Sequence, residues 1–577
     1  MPQPVGTVRS PEGTYEFTFV TSDEKKLKSG EFVYYILDGK KVMCRIVKRK
    51  PLRTYPDSFL SSPTIHPSKI LKALGINNDT QLFEVKACVM GYYDKKLGFV
   101  NPRIPPPPGE PVYLAESDVI QETLMKKRVG EIGSLHVGYL LNRDEDVPVV
   151  LDASLITSEH LCILASTGSG KSYLSGVIAE ELMKPYNRAA VLVLDPHGEY
   201  HTLKEMEGMD EFCSDNYRPR VRVFGKDEVK IRLCELEYSE LVGILPNLSD
   251  KMEALLKNAY ENMPEKFTSQ QLIDEIMRMD DSYTSRALVW RIRRYIQGMD
   301  VIDDYIHMEL KDLLRPGQLS VLQLYEMSDL EQQVLASVLL NRILNARIAA
   351  EKGKTGEVLE YPVFIIVEEA HRFASRDARS YDVMRTILAE GRKFGVGVCL
   401  ISQRPSKIDP DILSQCMTQV VMRIVNPADQ ENVRSSVESI GRDLLDELPG
   451  LTKGQAVVAG VSINAPVLMR VRERLTSHGG VSRDAPGEWM RWTSLMDGAV
   501  SVSSGFTGKA GNYSKEKDKK EKDKAEKDEK IKDEKIEAGK EIEKTGKTGK
   551  AEKTGKSRGT KKGLKIKQKN ARLFWEE

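Results

Sequence analysis

Residues 165 to 172 read Ala-Ser-Thr-Gly-Ser-Gly-Lys-Ser, between the apolar run Leu161-Cys162-Ile163-Leu164 and a helical pattern from Tyr173 to Met183. A buried strand, a glycine-rich turn and a helix opening on Lys-Ser leave few folds open, because together they form a cradle for phosphate. Backbone N–H groups of such a turn point at a nucleotide's phosphates, Lys171 neutralises the outer ones, and the Ser172 hydroxyl can hold Mg²⁺. Thr167, Gly168, Ser169, Gly170, Lys171 and Ser172 are therefore the predicted binding residues for a nucleoside triphosphate with Mg²⁺. The usual first glycine is Ala165, which begins the turn, where a methyl group need not touch phosphate.

Around this loop the pattern predicts an α/β core. Continuous Val, Ile and Leu runs at 161–165, 189–195, 221–224, 319–324, 363–367, 396–401 and 419–425 read as strands buried on both faces, hence a largely parallel sheet. A hairpin, 455–459 with 466–471, closes the domain. Between Leu236 and Tyr305 the apolar spacing is helical (Met252, Leu255, Leu256, Ala259; Leu272, Ile276), which predicts a helical insertion. The first hundred residues alternate apolar and polar positions in short runs separated by turn formers, as in a small β-barrel, followed by the stiff segment Pro105 to Pro108. Predicted boundaries are 1–115 for the barrel, 116–150 for a connector, 151–235 and 311–480 for the two parts of a RecA-like P-loop ATPase core, 236–310 for the insertion, 481–512 for a C-terminal extension and 513–577 for a disordered Lys-rich tail.

Net charge is +1, but Tyr513 to Glu577 holds about 23 basic and about 15 acidic residues, so the rest is mildly acidic. Contact with nucleic acid in the folded part must come from local patches. The tail cannot bury enough apolar surface to fold alone; its last part reads as a polybasic arm, and Leu573-Phe574-Trp575 as a docking peptide or a plain terminus. Seven scattered cysteines without a Cys-x-x-Cys pair point away from zinc and disulfides. No stretch approaches the roughly 18 apolar residues of a spanning helix, and the start lacks a secretory pattern, so a cytoplasmic protein without membrane contact is expected.

Hydrolysis needs a magnesium-holding acid and a group that aligns water. The strand Phe364-Ile365-Ile366-Val367 delivers Glu368, read as the partner of Mg²⁺, and Glu369, read as the general base. Asp195, in Asp195-Pro196-His197-Gly198-Glu199-Tyr200, either tunes water and the catalytic glutamate or caps its turn. Gln403 fits a γ-phosphate sensor or an ordinary strand-end turn. Arg392, at the end of a helix that begins near Asp377, reads as an arginine finger for a neighbouring subunit or as a cation offsetting the helix dipole. Arg423, inside an apolar strand, is the other finger candidate.

These motifs, with Val5-Gly6-Thr7-Val8, Val367-Glu368-Glu369-Ala370-His371, Glu390-Gly391-Arg392-Lys393-Phe394-Gly395 and Ser402-Gln403-Arg404-Pro405, resemble the HerA family of ring-forming DNA helicases in order and approximate spacing. The resemblance implies a homohexamer with ATP sites between subunits, double-stranded DNA in a central channel, and work with a NurA-type nuclease in DNA double-strand-break end resection. By similarity Arg392 acts in trans, and Tyr173, Arg470 and Val471 flank the nucleotide. Family members often carry arginine where this chain has Glu159, so a nucleotide contact there is not implied. Channel loops are unassigned, with Arg376 to Arg379 and the loop after Ser406 as candidates. The alternatives are a conjugation or secretion ATPase of the same superfamily, which would bring membrane helices or a membrane-bound partner, and a nucleotide-gated DNA-binding scaffold, which loss of Lys171 or of both acids would mark.

Overall fold

The computed structural model describes residues 3–23, 25–52, 82–143, 146–437, 439–480 and 484–493. The charged tail and its terminal peptide lie outside the described residues.

The alternating N-terminal runs form β1 (Pro4–Pro11), β2 (Glu16–Thr21), β3 (Phe32–Leu37), β4 (Lys40–Pro51), β5 (Phe83–Asp94), β6 (Gly98–Val100) and β7 (Pro111–Leu114), paired in the order β2-β1-β7-β3-β4-β5-β6. A further antiparallel pairing, from Glu16 opposite Cys88 to Thr21 opposite Phe83, joins β2 to β5 and closes a barrel. Closure removes the free edges that an open sheet would expose. Phe17, Phe19, Val33, Tyr35, Cys44 and Val85 fill its interior.

The core is one eleven-stranded sheet. Its strands are β8 (Ser134–Leu140), β9 (Pro148–Asp152), β10 (Leu161–Leu164), β11 (Ala190–Asp195), β12 (Arg220–Phe224), β15 (Gln318–Gln323), β16 (Val363–Val367), β17 (Val396–Ser402), β18 (Thr418–Met422), β19 (Gln455–Gly460) and β20 (Val467–Val471). The two-residue strands β13 (Ile231–Arg232) and β14 (Ile302–Asp303) form a separate parallel pair. In the order β12-β15-β11-β16-β17-β10-β18-β19-β20-β8-β9, the first seven run parallel and the last four add antiparallel. All seven predicted buried runs fall on the parallel strands; the inner strands β10, β11, β16, β17 and β18 are buried on both faces as a sheet covered by helices requires, while β12, at the edge, is only partly buried.

The structure departs from two sequence expectations. The connector at 116–150 contains α1 (Ser117–Leu124) and β8, together with most of β9. Its strand signal was masked because β8 is interrupted at Gly138, where the register shifts against β9 and a Cβ would stand 2.1 Å from the Arg470 carbonyl oxygen. The run at 419–425 ends as a strand at Met422, so Arg423 lies beyond it and is exposed.

Helices α2 (Ala153–Glu159) and α3 (Lys171–Leu182) flank β10 in sequence. The insertion supplies α4 (Tyr238–Ile244), α5 (Asp250–Glu261), α6 (Ser269–Met279) and α7 (Tyr283–Tyr295). Ser249, Thr268 and Ser282 cap α5, α6 and α7 through their side chains, which satisfies N–H groups that would otherwise be orphaned. Pairing of Ile231 with Ile302 gathers the two ends of the insertion. Separately, residues 485–493 form a helix.

Candidate nucleotide site

Parallel register brings the carboxyl ends of five strands to one edge. Leu164 lies beside Ser402 and Val421, and Val367 beside Leu400 and Leu194. The loop after β10 is pinned there: Ala165 N–H donates to Ser402 O at 3.1 Å and Ser166 N–H to Arg423 O at 2.8 Å. Ala165 is buried and lacks the positive φ that would demand glycine, which explains why alanine serves. Gly168 and Gly170 do need that freedom, at φ +79° and +103°. Ser169 Oγ donates to Ser166 O, and Gly454 N–H to Ser169 O, so the turn is braced from behind. The opening of α3 has no side-chain cap, and among the described residues nothing accepts from the N–H groups of Gly168, Gly170, Lys171 and Ser172. Uncapped N–H groups at a helix start are the physical basis of an anion site.

Lys171 Nζ stands 3.0 Å from Glu369 Oε1. Burial opposes its charge, but Glu368 and Glu369 outweigh that effect and hold it protonated. Glu369 follows β16 in the left-handed region, φ 50° and ψ 45°, a conformation costing a non-glycine residue about 1–3 kcal/mol. This backbone turns adjacent carboxylates to different neighbours. Burial would raise the Glu369 pKa, but His197 (3.5 Å), His371 (3.2 Å) and Lys171 reverse it, leaving the carboxyl far below the ordinary range and ionised. Its Oε2 is near His371 Nδ1 but off the line of a hydrogen bond, and accepts none among the described residues. Glu368 shifts the other way: full burial raises it, against the opposing effects of Lys171, Tyr200 and Ser172. Tyr200 OH donates to Glu368 Oε1 at 2.7 Å and is in turn bonded to Ser175 Oγ.

Asp195 is fully buried and takes its turn-capping role: Oδ1 accepts from His197 and Gly198 N–H, and Oδ2 from Tyr200 N–H. It acts on the glutamates through that turn, which delivers His197 to Glu369 and Tyr200 to Glu368. Thr167 Oγ1 donates to Gln403 Oε1 at 2.6 Å, tying the end of β17 to the loop. The donor set suits Mg²⁺ held mainly by phosphate and water: Ser172 and Glu368 adjoin, Glu369 has a buried free lone pair, and no cluster of three or more His, Cys, Asp or Glu that could hold a metal occurs among the described residues.

Residues 135–343 match the family model described as "Helicase HerA, central domain". The chain is 32% identical over 429 residues to the DNA double-strand break repair helicase HerA of Pyrococcus furiosus, covering 64% of this chain and 74% of that protein. The chain belongs to the HerA family. It is a P-loop ATPase of the helicase class. A probable helicase of Methanocaldococcus jannaschii is 31% identical over 400 residues, 66% of this chain and 74% of its own. Among solved structures, VirB4 of Thermoanaerobacter pseudethanolicus aligns over 60% of this chain and 97% of its own at 14% identity and TM-score 0.44. No helix among the described residues is long and apolar enough to cross a membrane.

In this HerA-family chain Arg392 is not part of the carboxyl-edge cluster. It sits in the 3₁₀ turn Gly391–Phe394 ahead of β17, after a helix that starts at Tyr381 rather than near Asp377, and pairs with Glu159 at 3.1 Å. Seven-residue β17 spans about 20 Å, with Arg392 before one end and Gln403 after the other. Glu159 thus meets an arginine, not a nucleotide loop. Arg423 contributes its backbone carbonyl to the loop while its side chain is exposed. Val471 N–H donates to Gly454 O, placing β20 behind the loop, while Arg470 is exposed. Tyr173 OH accepts from Arg474 N–H at 2.6 Å, and its ring meets His478 edge-on. Sequence reasoning assigned no role to His197, Tyr200 or His371; their presence in the two acidic strand-end motifs was the available signal.

Proposed function

We propose that this chain is an ATP-dependent translocase or helicase that acts on double-stranded DNA as a homohexameric ring, in double-strand-break end resection with a NurA-type nuclease. The observation that carries the ring is the separation of Arg392 from the phosphate loop by the length of a sheet strand. An arginine finger at Arg392 can serve a phosphate loop only if the loop belongs to another copy. The name of the Pyrococcus furiosus relative supports the DNA and repair assignments.

Within one subunit the roles follow from the contacts. Uncapped N–H groups of the loop receive the triphosphate, and Ser172 with Glu368 would hold Mg²⁺, which supplies charge neutralisation at the phosphates. Arriving phosphate oxygens compete for Lys171, so Oε1 of Glu369 is released to orient water and take its proton. Because Glu369 is held ionised, its contribution is mainly orientation, and the raised pKa of Glu368 keeps the two adjacent acids electrostatically distinct. Gln403, bonded to Thr167, reports phosphate occupancy to β17.

The test is hydrolysis and assembly by the full chain with and without blunt duplex DNA, with mass measured in solution. A ring whose ATPase rises with duplex and collapses in Glu369→Gln is expected. A monomer that hydrolyses ATP at the same rate without DNA defeats the reading.

A further inference from the structure

The helical insertion has no part in the chemistry above, yet its last helix is unusual in charge. α7, Tyr283–Tyr295, carries four arginines and no acid; the acids Asp250, Glu253, Glu261, Asp274 and Glu275 sit on α5 and α6. Ser285, Leu288, Val289 and Ile292 are buried, which leaves Tyr283, Arg286, Trp290, Arg293 and Arg294 exposed. At about 100° per residue these five positions fall within roughly 100° of the helix circumference and about 17 Å of its length, so they form one stripe.

Trp290 is 60% and Tyr283 88% exposed, and the Trp290 ring is braced by Tyr295 at 6.4 Å, edge to face. Arg286 is met by Asp281 at the helix start, whereas Arg293 and Arg294 have no ion-pair partner among the described residues. The next acid along the chain, Asp300, is occupied: Lys226 pairs with its carboxylate and Lys230 donates to its carbonyl. Offsetting the helix dipole explains two arginines at a C-terminus. It does not explain two large aromatics left in water on the same face.

We propose that this face of α7 binds single-stranded DNA, with strand phosphates at Arg286, Arg293 and Arg294 and a base stacked on Trp290. The inference deepens the proposed helicase function and rests on it for the identity of the nucleic acid. Phosphate contact alone would suit duplex and single strand alike. The exposed tryptophan favours the unpaired strand, whose bases offer free π-faces, while duplex bases are already stacked. An acidic peptide would use the arginines but gain little from a base-sized aromatic platform.

The experiment measures binding of the full chain to a labelled single strand, and to the same sequence as a blunt duplex, over a salt series. Trp290→Ala is expected to weaken single-strand binding about tenfold or more and duplex binding little, and Trp290→Phe to restore most of it. Arg293→Gln with Arg294→Gln should lower the single-strand salt slope by about 1.4, with DNA-free ATP hydrolysis unchanged. Unchanged single-strand affinity in both variants, no single-strand binding by the parent chain, or equal losses on duplex and single strand in Trp290→Ala would each overturn the proposal. DNA-stimulated ATPase of the parent chain, measured alongside, reports separately on the helicase reading: its absence with Trp290-dependent strand binding would leave this surface standing.

Discussion

At the carboxyl end of the parallel sheet Glu368 and Glu369 are buried and Lys171 is half-buried against them, with His197, His371 and Tyr200 filling the remaining contacts. At the amino end Arg392 is 64% exposed and meets a single acid, Glu159. A buried charge cluster must complete its own pairing within the chain, because an unpaired ion there costs several kcal/mol. An exposed arginine with one partner is free to exchange it. The two ends therefore differ as an enclosed half-site differs from a cation presented to whatever approaches.

The largest expected effect is on the enclosed end. Lys171→Ala should lower ATP turnover by about 10²–10³-fold, and Arg392→Ala should lower it comparably or more if the arginine stabilises transferred phosphate. Mixed in one solution, these two inactive chains should recover part of the activity, since some interfaces then pair an intact loop with an intact arginine. Failure to recover at any mixing ratio breaks the division of one site between two copies. Because Lys171→Ala also leaves Glu369 without its cation, a thermal midpoint must be recorded beside each rate.

How far sequence alone could reach follows the same division. Strands β10, β11 and β16 announce themselves as unbroken apolar runs, and Lys171, Glu368 and Glu369 follow from their positions at the ends of such runs. Local order carries that information. β8 was hidden because Gly138 breaks its pattern to let the Arg470 backbone approach, a reason that resides in a strand more than 300 residues away. The Glu159–Arg392 pair was equally hidden, since it joins segments from different parts of the chain. So was the left-handed backbone at Glu369, which no residue preference signals. Gln403 and Asp195 each carried two readings in the sequence; contacts to Thr167 and to three backbone N–H groups give them definite places.

Histidines at the two ends should respond to pH in opposite senses. His160, at the amino end, accepts from Val398 N–H, and burial, aided by the charge of Arg392, lowers it to about 4 from 6.5. His197, at the carboxyl end, is raised above 6.5, chiefly by its hydrogen bond to Glu369. With His160 the unfolded chain binds the extra proton, so stability is lost as pH falls from 6.5 toward about 4, by up to about 3 kcal/mol. With His197 the folded chain binds it, so that contribution is complete below 6.5 and disappears as pH rises through the raised value. Urea midpoints across this range should be flatter on the acid side in His160→Asn and flatter on the alkaline side in His197→Gln. Identical slopes in all three proteins would show that the two environments do not differ as their contacts indicate.

The smallest effect concerns Glu159 itself. An ion pair with a largely exposed arginine contributes about 0–1 kcal/mol, so Glu159→Gln should leave folding nearly intact and lower turnover by no more than about fivefold. If Glu159 orients Arg392, the loss falls on kcat rather than KM, diminishes in high salt where the parent pair is already screened, and vanishes in an Arg392→Ala background. A rise in turnover would mean that the pair restrains the arginine and must open before Arg392 reaches a neighbouring copy. A loss that persists in the Arg392→Ala background would show that the Glu159 carboxylate acts other than through Arg392, and the amino end would then be a structural edge instead of a presented cation.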